Sequence, residues 1–172
     1  MEFDKLIKQR YSVRKFKAQA VEQEKINAIL EAGKAAPTAT NAQPQRILVL
    51  NEKSSLAKIK ECTLYHFNAP LFFLVCYDKS VSWKRSEDNK DMGEVDASIV
   101  ATHMMLKITN LGLGSTWVGS FNPQKIRESF ALPENIVPVL ILPVGYPHEK
   151  SVPSLSHGKR IDISANTVYN SF

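Results

Sequence analysis

The chain has 172 residues, 44% hydrophobic and 23% charged, the balance of an ordinary soluble globular protein, and is read as a single domain, 1–172, with an extended tail from residue 146. Its net charge of +5 points to an anionic ligand or partner, either nucleic acid or a phosphorylated cofactor, but the basic residues are too scattered for a nucleic-acid-wrapping arm. Two cysteines are too few for a disulfide framework, and the absence of a charged-then-apolar leader or of an apolar run near about 18 residues predicts a cytoplasmic protein with no signal peptide or membrane span.

Residues 3–9 form a short amphipathic helix with Phe3, Leu6 and Ile7 on one face. RYSVRKF at 10–16 follows as an extended segment, in which Arg10, Ser12 and Arg14 point to one side. Two guanidinium forks around a hydroxyl suit a phosphate; the same pattern also describes a solvated strand edge. Residues 22–35 form an amphipathic helix with Ile26, Ile29, Leu30 and Gly33 in its buried stripe. Pro37 stops it, because the residue before proline is pushed out of the helical region. The loop APTATNAQPQ at 36–45 then presents hydrogen-bonding side chains, as a binding loop or an ordinary turn.

Residues 47–50 are expected to be a short buried strand, and Ser54 or Ser55 to cap a helix running to Cys62. PLFFLVCY at 70–77 has the length and composition of a strand buried on both faces. Residues 78–92 are charged and irregular, with Trp83 either over a pocket or anchoring the loop.

Residues 94–111 form the central helix, ended by the glycines of GLG. At 100° steps Asp96, His103, Lys107 and Asn110 share one stripe. Val100, Met104, Ile108 and Leu111 cover one flank; Val95, Ile99 and Leu106 cover the other. Such a helix is the core of the domain or its seam with a second copy. It delivers a strand, STWVGSF, able to present backbone N–H groups and an aromatic to a flat ligand. Asn122 caps a further helix with Pro123 at its first position, and VPVLILPV at 137–144 is a second buried strand. The polar tail still carries Leu155, Ile161, Ile163, Val168, Tyr169 and Phe172, so it needs something to pack on. Its Lys159 and Arg160 are a phosphate-competent pair or a solvated one.

The glycines close a helix and open a strand, the reverse of a dinucleotide fingerprint. No P-loop, metal-ligand spacing or nucleophile elbow is present in the sequence.

Taken in order, RYSVRKF, APTATNAQPQ, NLGLGSTWVGSF, LPVGYP and the tail KR resemble the nitroreductase family of FMN enzymes over nearly the whole chain. The resemblance implies an α+β fold with a central, mainly antiparallel sheet wrapped by helices and a C-terminal tail exchanged between subunits. It implies a homodimer binding FMN at its interface, with NADH or NADPH as donor and a nitroaromatic, quinone or similar small molecule as acceptor, in a ping-pong cycle. It further implies that Arg10, Ser12 and Arg14 bind the phosphate and ribityl chain, with Tyr11 contributing its backbone. Pro37, Thr38, Ala39, Asn41 and Gln43 resemble the loop that reaches the flavin of the other subunit. Thr116, Trp117, Val118 and Gly119 resemble the strand facing the ring edge, and Lys159 and Arg160 the tail's phosphate contacts. Gln45 stands where an aromatic is common, and LYHFNAP offers no clear match to the family's polar flavin contact. No metal, catalytic side chain, nucleic acid or membrane is expected, because the flavin carries the chemistry. The rival readings are a flavin-binding or regulatory module without turnover and a small basic nucleic-acid binder, which would be colourless and steeply salt-dependent.

Overall fold

An apolar run is buried on both faces only where it lies between two layers. In the computed structural model, which describes residues 2–172, the run at 71–78 lies there. It forms β2 (Leu71–Asp78) of a four-stranded antiparallel sheet. With β1 (Gln45–Leu50), β3 (Gly114–Ser115) and β4 (Ile136–Gly145), the order is β1-β2-β4-β3. The two-residue period then divides the strands between two cores. Leu71, Phe73 and Val75 join Leu140, Leu142 and Val144 in one; Phe72, Leu74 and Cys76 join Ile141 in the other. Helices α2 (Gln23–Lys34) and α4 (Gly93–Asn110) contribute Ile26, Ile29, Val100 and Met104 to the first core. Helices α3 (Lys53–Cys62) and α5 (Pro123–Ser129) contribute Ile59 and Ile126 to the second. Burying each such side chain contributes about 1.5–3 kcal/mol, so this double-faced sheet centre dominates stability.

The expected central strand and central helix therefore appear as read. The strand at 47–50 differs, because β1 is an edge and only Leu50 is fully buried. The cap of α3 also differs: Glu52 occupies it without a side-chain bond, and Ser55, inside the first turn, donates to the Glu52 carbonyl. Asn122 does cap α5, accepting from the Lys125 amide at 2.9 Å. Pro138 is tolerated in β4 beside a register shift between Val75 and Cys76, where the ladder is already broken.

Helix α4 buries Gly93, Asp96, Ala97, Val100, Ala101, Met104 and Ile108. Its other flank, with Val95 at 43% exposure, borders an open groove shared with Ile99 and Thr102. The helix ends in a Schellman turn. The Gly112 amide donates to the Thr109 carbonyl and the Leu113 amide to the Ile108 carbonyl, both at 3.0 Å, with Gly112 at φ 75°. This stop turns the chain into β3 and on through residues 116–120.

Of the apolar face of α1 (Phe3–Gln9), only Leu6 is buried. The segment after it lies along the outer side of β3. Ser12 bridges Ser115 in parallel fashion, and the Val13 amide donates to the Ser115 carbonyl at 3.0 Å. Farther on, Phe16 bridges Pro147 and the His148 amide donates to the Lys15 carbonyl. Residues 151–160 of the tail fold back over this segment of their own chain: the Tyr11 hydroxyl donates to the Ser151 carbonyl at 3.2 Å. Beyond Arg160, Ile161, Ile163, Val168, Tyr169 and Phe172 are all exposed. Among the described residues, no helix is long and apolar enough to cross a membrane.

Candidate functional site

Two adjoining hollows lie where the N-terminal segment, residues 116–120 and the tail meet. The first, about 270 Å³, is lined by Arg10, Tyr11, Ser12, Arg14, Ser154, Ser156, His157 and Arg160. Each group has a local reason to be there. Arg10 is the C-cap of α1, its amide bonded to the Leu6 carbonyl. Val13, 2% exposed, is sunk between the segment and the sheet, so its neighbours Ser12 and Arg14 are carried to the rim. The Arg160 guanidinium donates to the carbonyls of His157 (2.6 Å) and Lys159 (2.7 Å), and the His157 ring meets Tyr11 edge-on at 6.2 Å between centroids. Three guanidinium groups, hydroxyls and an imidazole converge there, and no carboxylate is in the lining among the described residues. That donor set fits a phosphate dianion.

The second hollow, about 240 Å³, is lined by Arg14, Tyr65, Phe67, Thr116, Trp117, Val118, Gly119 and Ser120. Arg14 lines both, so the hollows form one cleft with a cationic end and an aromatic end. Residues 116–119 alternate: Thr116 and Val118 are buried, while Trp117 and Gly119 are exposed. The Val118 amide is already committed to the Ile141 carbonyl at 3.0 Å, so its N–H serves the sheet. A Cβ on Gly119 would meet nothing within 4 Å, so the space there is open. The cleft therefore fits an organic phosphate attached to a flat ring.

Of the residues expected to act together, Arg10, Tyr11, Ser12, Arg14, Thr116, Trp117, Val118, Gly119 and Arg160 line this cleft. Lys159 is exposed and off its lining. Pro37, Thr38, Ala39, Asn41 and Gln43 are also off it, in a loop bonded to the start of α4, where the Ala39 amide donates to Asp96 Oδ1 at 3.0 Å. The loop is wound tightly: Thr40, Asn41 and Gln43 have φ of 51°, 57° and 49°, and the Gln43 amide donates to the Thr38 hydroxyl. At its end Arg46 donates to the carbonyls of Gln43 and Gln45 and pairs with Asp78 Oδ2 at 3.3 Å. Hydrogen bonds from Ser80, then from Asn135, hold the Asp78 carboxyl down at about 2. Burial pushes the Cys76 thiol up to about 12, so it stays protonated and inert.

Sequence reading missed Tyr65, Phe67, Ser154, Ser156 and His157. For the first two a signal existed, the aromatics of LYHFNAP, in the stretch that yielded no polar contact. The serines and His157 lie in an irregular turn with no periodicity to reveal a face.

A family model described as the nitroreductase family matches residues 7–70 and 64–146. A Methanothermobacter thermautotrophicus protein named "Putative NADH dehydrogenase/NAD(P)H nitroreductase" is 33% identical over 150 residues, 83% of this chain and 76% of that one. The crystal structure of a nitroreductase family protein from Clostridium difficile 630 is similar at 42% identity over the whole of both chains, with a TM-score of 0.94. An FMN-dependent nitroreductase from Clostridium difficile R20291 superposes with a TM-score of 0.77 at 27% identity, covering 99% of this chain and all of that one.

Proposed function

Because the chain belongs to the nitroreductase family, we propose that it is an FMN-dependent oxidoreductase, taking hydride from NADH or NADPH and passing it to a nitroaromatic, quinone or similar acceptor in a ping-pong cycle. One observation carries this reading: Arg14 joins a hollow of three guanidinium groups to a hollow with an aromatic lining, the two ends of a ring-bearing phosphate. When bound, FMN supplies the hydride-accepting and hydride-donating centre.

The chain's own residues hold and orient it. Arg10, Arg14 and Arg160 neutralise the phosphate, and Ser12 donates its hydroxyl. Tyr11 acts through its ring and hydroxyl, which pin the tail at Ser151 and so fix Arg160 over the phosphate end. Thr116 and Gly119 line the floor, and Trp117 offers a face for stacking. The committed Val118 amide leaves that residue a structural part in the floor. No proton-transferring side chain is needed at a site of this kind, because the protein need only bind, orient and exclude water.

The active unit under this reading is a homodimer. Residues 37–43 lie off the cleft of their own chain, and the apolar residues after Arg160 are exposed; a two-fold partner accommodates both. Each loop then reaches the partner's cleft, and each tail end is exchanged onto the partner.

The test begins with the visible spectrum of the purified protein and of its supernatant after denaturation, which should show bound and then released flavin. NADH or NADPH oxidation with 1,4-benzoquinone should then give parallel double-reciprocal lines. A colourless protein that takes up no FMN, or a yellow one without turnover, overturns the assignment; the second outcome is that of the non-enzymatic module.

A further inference from the structure

We propose that Thr63 is a positioning residue that sets the width of the aromatic hollow, tying two stretches of its lining together through one hydroxyl. The proposal rests on the reading of that hollow as the flavin and acceptor site.

Helix α3 stops at Cys62, and Thr63 comes next in extended conformation, 6% exposed. Its Oγ1 donates to the Ser120 carbonyl at 2.7 Å and accepts from the Tyr65 amide at 3.1 Å. A hydroxyl carries one proton and two lone pairs, so both bonds hold at once. Ser120 ends the 116–120 side of the lining, and Tyr65 begins the other. Among the described residues no other group bonds to both sides. The adjacent tie, from the Asn122 amide to the Cys62 carbonyl at 2.9 Å, fixes the end of α3 and stops short of Tyr65.

The segment is anchored at its far end, where Ala69 is buried in the second core with Phe67 packed against it, but residues 64–66 have little besides the Thr63 hydroxyl to hold them. Leu64 is 91% exposed. Phe67 and Asn68 sit at φ of 49° and 51°, a left-handed backbone that Asn tolerates but a bulky side chain such as Phe67 disfavours. The amides of Asn68 and Ala69 bond back only to His66, inside the same segment. An open groove of about 500 Å³, lined by Thr63, Leu64, Tyr65, Ser120 and Phe121, borders the first residues of the segment and gives Leu64 and Tyr65 room to move. The Thr63 hydroxyl therefore decides whether an aromatic acceptor meets a narrow slot or a splayed, shallow surface. Thr63 touches neither the flavin nor the acceptor; it acts through Tyr65 and Ser120.

Thr63→Val keeps the shape and removes the hydroxyl, whereas Thr63→Ser keeps the hydroxyl. With the purified holoenzyme, benzoate serves as a planar aromatic that is not reduced, read by quenching of tryptophan fluorescence. Thr63→Val should raise the benzoate Kd and the KM for 1,4-benzoquinone about tenfold, with kcat and FMN affinity held within about twofold, because two neutral hydrogen bonds are lost far from the phosphate end. Exchange of the Tyr65 amide, followed by NMR, should accelerate about tenfold on the same grounds, and Thr63→Ser should restore all three. An unchanged benzoate Kd, or a variant altered only in melting temperature, overturns the proposal. Should Thr63→Val not fold, the wild-type amides decide: protection of Tyr65 matching that of Asn122 supports the tie, and exchange of Tyr65 at the unprotected rate refutes it. If the wild type binds no FMN, the functional reading fails by itself, and the Tyr65 amide still reports on the tie.

Discussion

Gly114→Ala places one methyl between the sheet and the segment that carries the phosphate-facing arginines. An ideal Cβ there lies 2.5 Å from Val13 Cγ2, 2.8 Å from its Cβ and 3.0 Å from its Cγ1. Carbon atoms rest at about 3.5–4.0 Å, so Val13 must retreat by roughly 1 Å. A rotamer change cannot achieve this, since the Val13 Cβ is itself too close. The retreat draws the Val13 amide from 3.0 Å to roughly 4 Å from the Ser115 carbonyl, beyond hydrogen-bonding range. Overpacking costs about 1–3 kcal/mol and the lost bond about 0.5–1.5 kcal/mol, so destabilisation should fall at roughly 1.5–4.5 kcal/mol. Arg10, Ser12 and Arg14 ride on the same segment, so FMN affinity should fall with it. Thermal denaturation and titration of flavin fluorescence read the two effects. Adding Val13→Ala removes Cγ1 and Cγ2 but leaves the contact at 2.8 Å, so the double variant should recover part of the loss, a non-additive result expected of touching residues. A Gly114→Ala protein with wild-type melting temperature and wild-type FMN affinity refutes the picture of a tightly keyed segment.

Arg14→Ala should lower FMN affinity ten- to a hundredfold while the fold persists, since a charged hydrogen bond is worth about 1.5–3 kcal/mol; flavin titration checks it. Co-refolding Arg14→Ala with Asn41→Ala should return part of the activity, because some heterodimers keep one intact shared site; a monodisperse monomer that still holds FMN in sedimentation excludes sharing. Asp78 contributes a pH signature. Its folded pKa of about 2 lies below the ordinary 3.8, so its stabilisation is complete above that range and is lost as pH falls towards 2. Melting temperature measured from about pH 5 down to 2 should drop less steeply for Asp78→Asn than for the wild type.

The parts legible in the sequence were those whose burial marks the sequence directly, as an apolar run or as a helical period. β2 and β4 announce themselves as continuous apolar runs of strand length, buried on both faces, and α4 by apolar flanks repeating about every 3.6 residues. The site was legible only where short motifs stood together, as in RYSVRKF and STWVGSF. Of the expected strand STWVGSF only Ser115, at the end of β3, and a lone Val118–Ile141 bridge pair with β4, an edge position that needs no continuous ladder. Tyr65 and Phe67 escaped because their placement depends on a left-handed Phe67, which no propensity predicts. His157 escaped because it reaches the cleft only once the tail has folded back across Tyr11. The cap of α3 was misread for a smaller reason, a serine being read as cap while the chain used the preceding glutamate's backbone.

The fold-back of the tail has a consequence for biosynthesis. The contact between Tyr11 and Ser151 spans 140 residues of chain, and the cleft also draws on residues 116–120 between them. Closing so long a loop carries an entropic cost that nearby contacts do not share, so this corner of the molecule forms late. During synthesis Arg10 and Arg14 precede the tail residues that complete this corner by some 140 residues. A ligand that recognises only the closed corner adds its binding free energy to chains that carry the tail residues lining it and none to chains that lack them. On the proposed reading, a chain that stops before residue 151 lacks this corner and gains no stability from FMN.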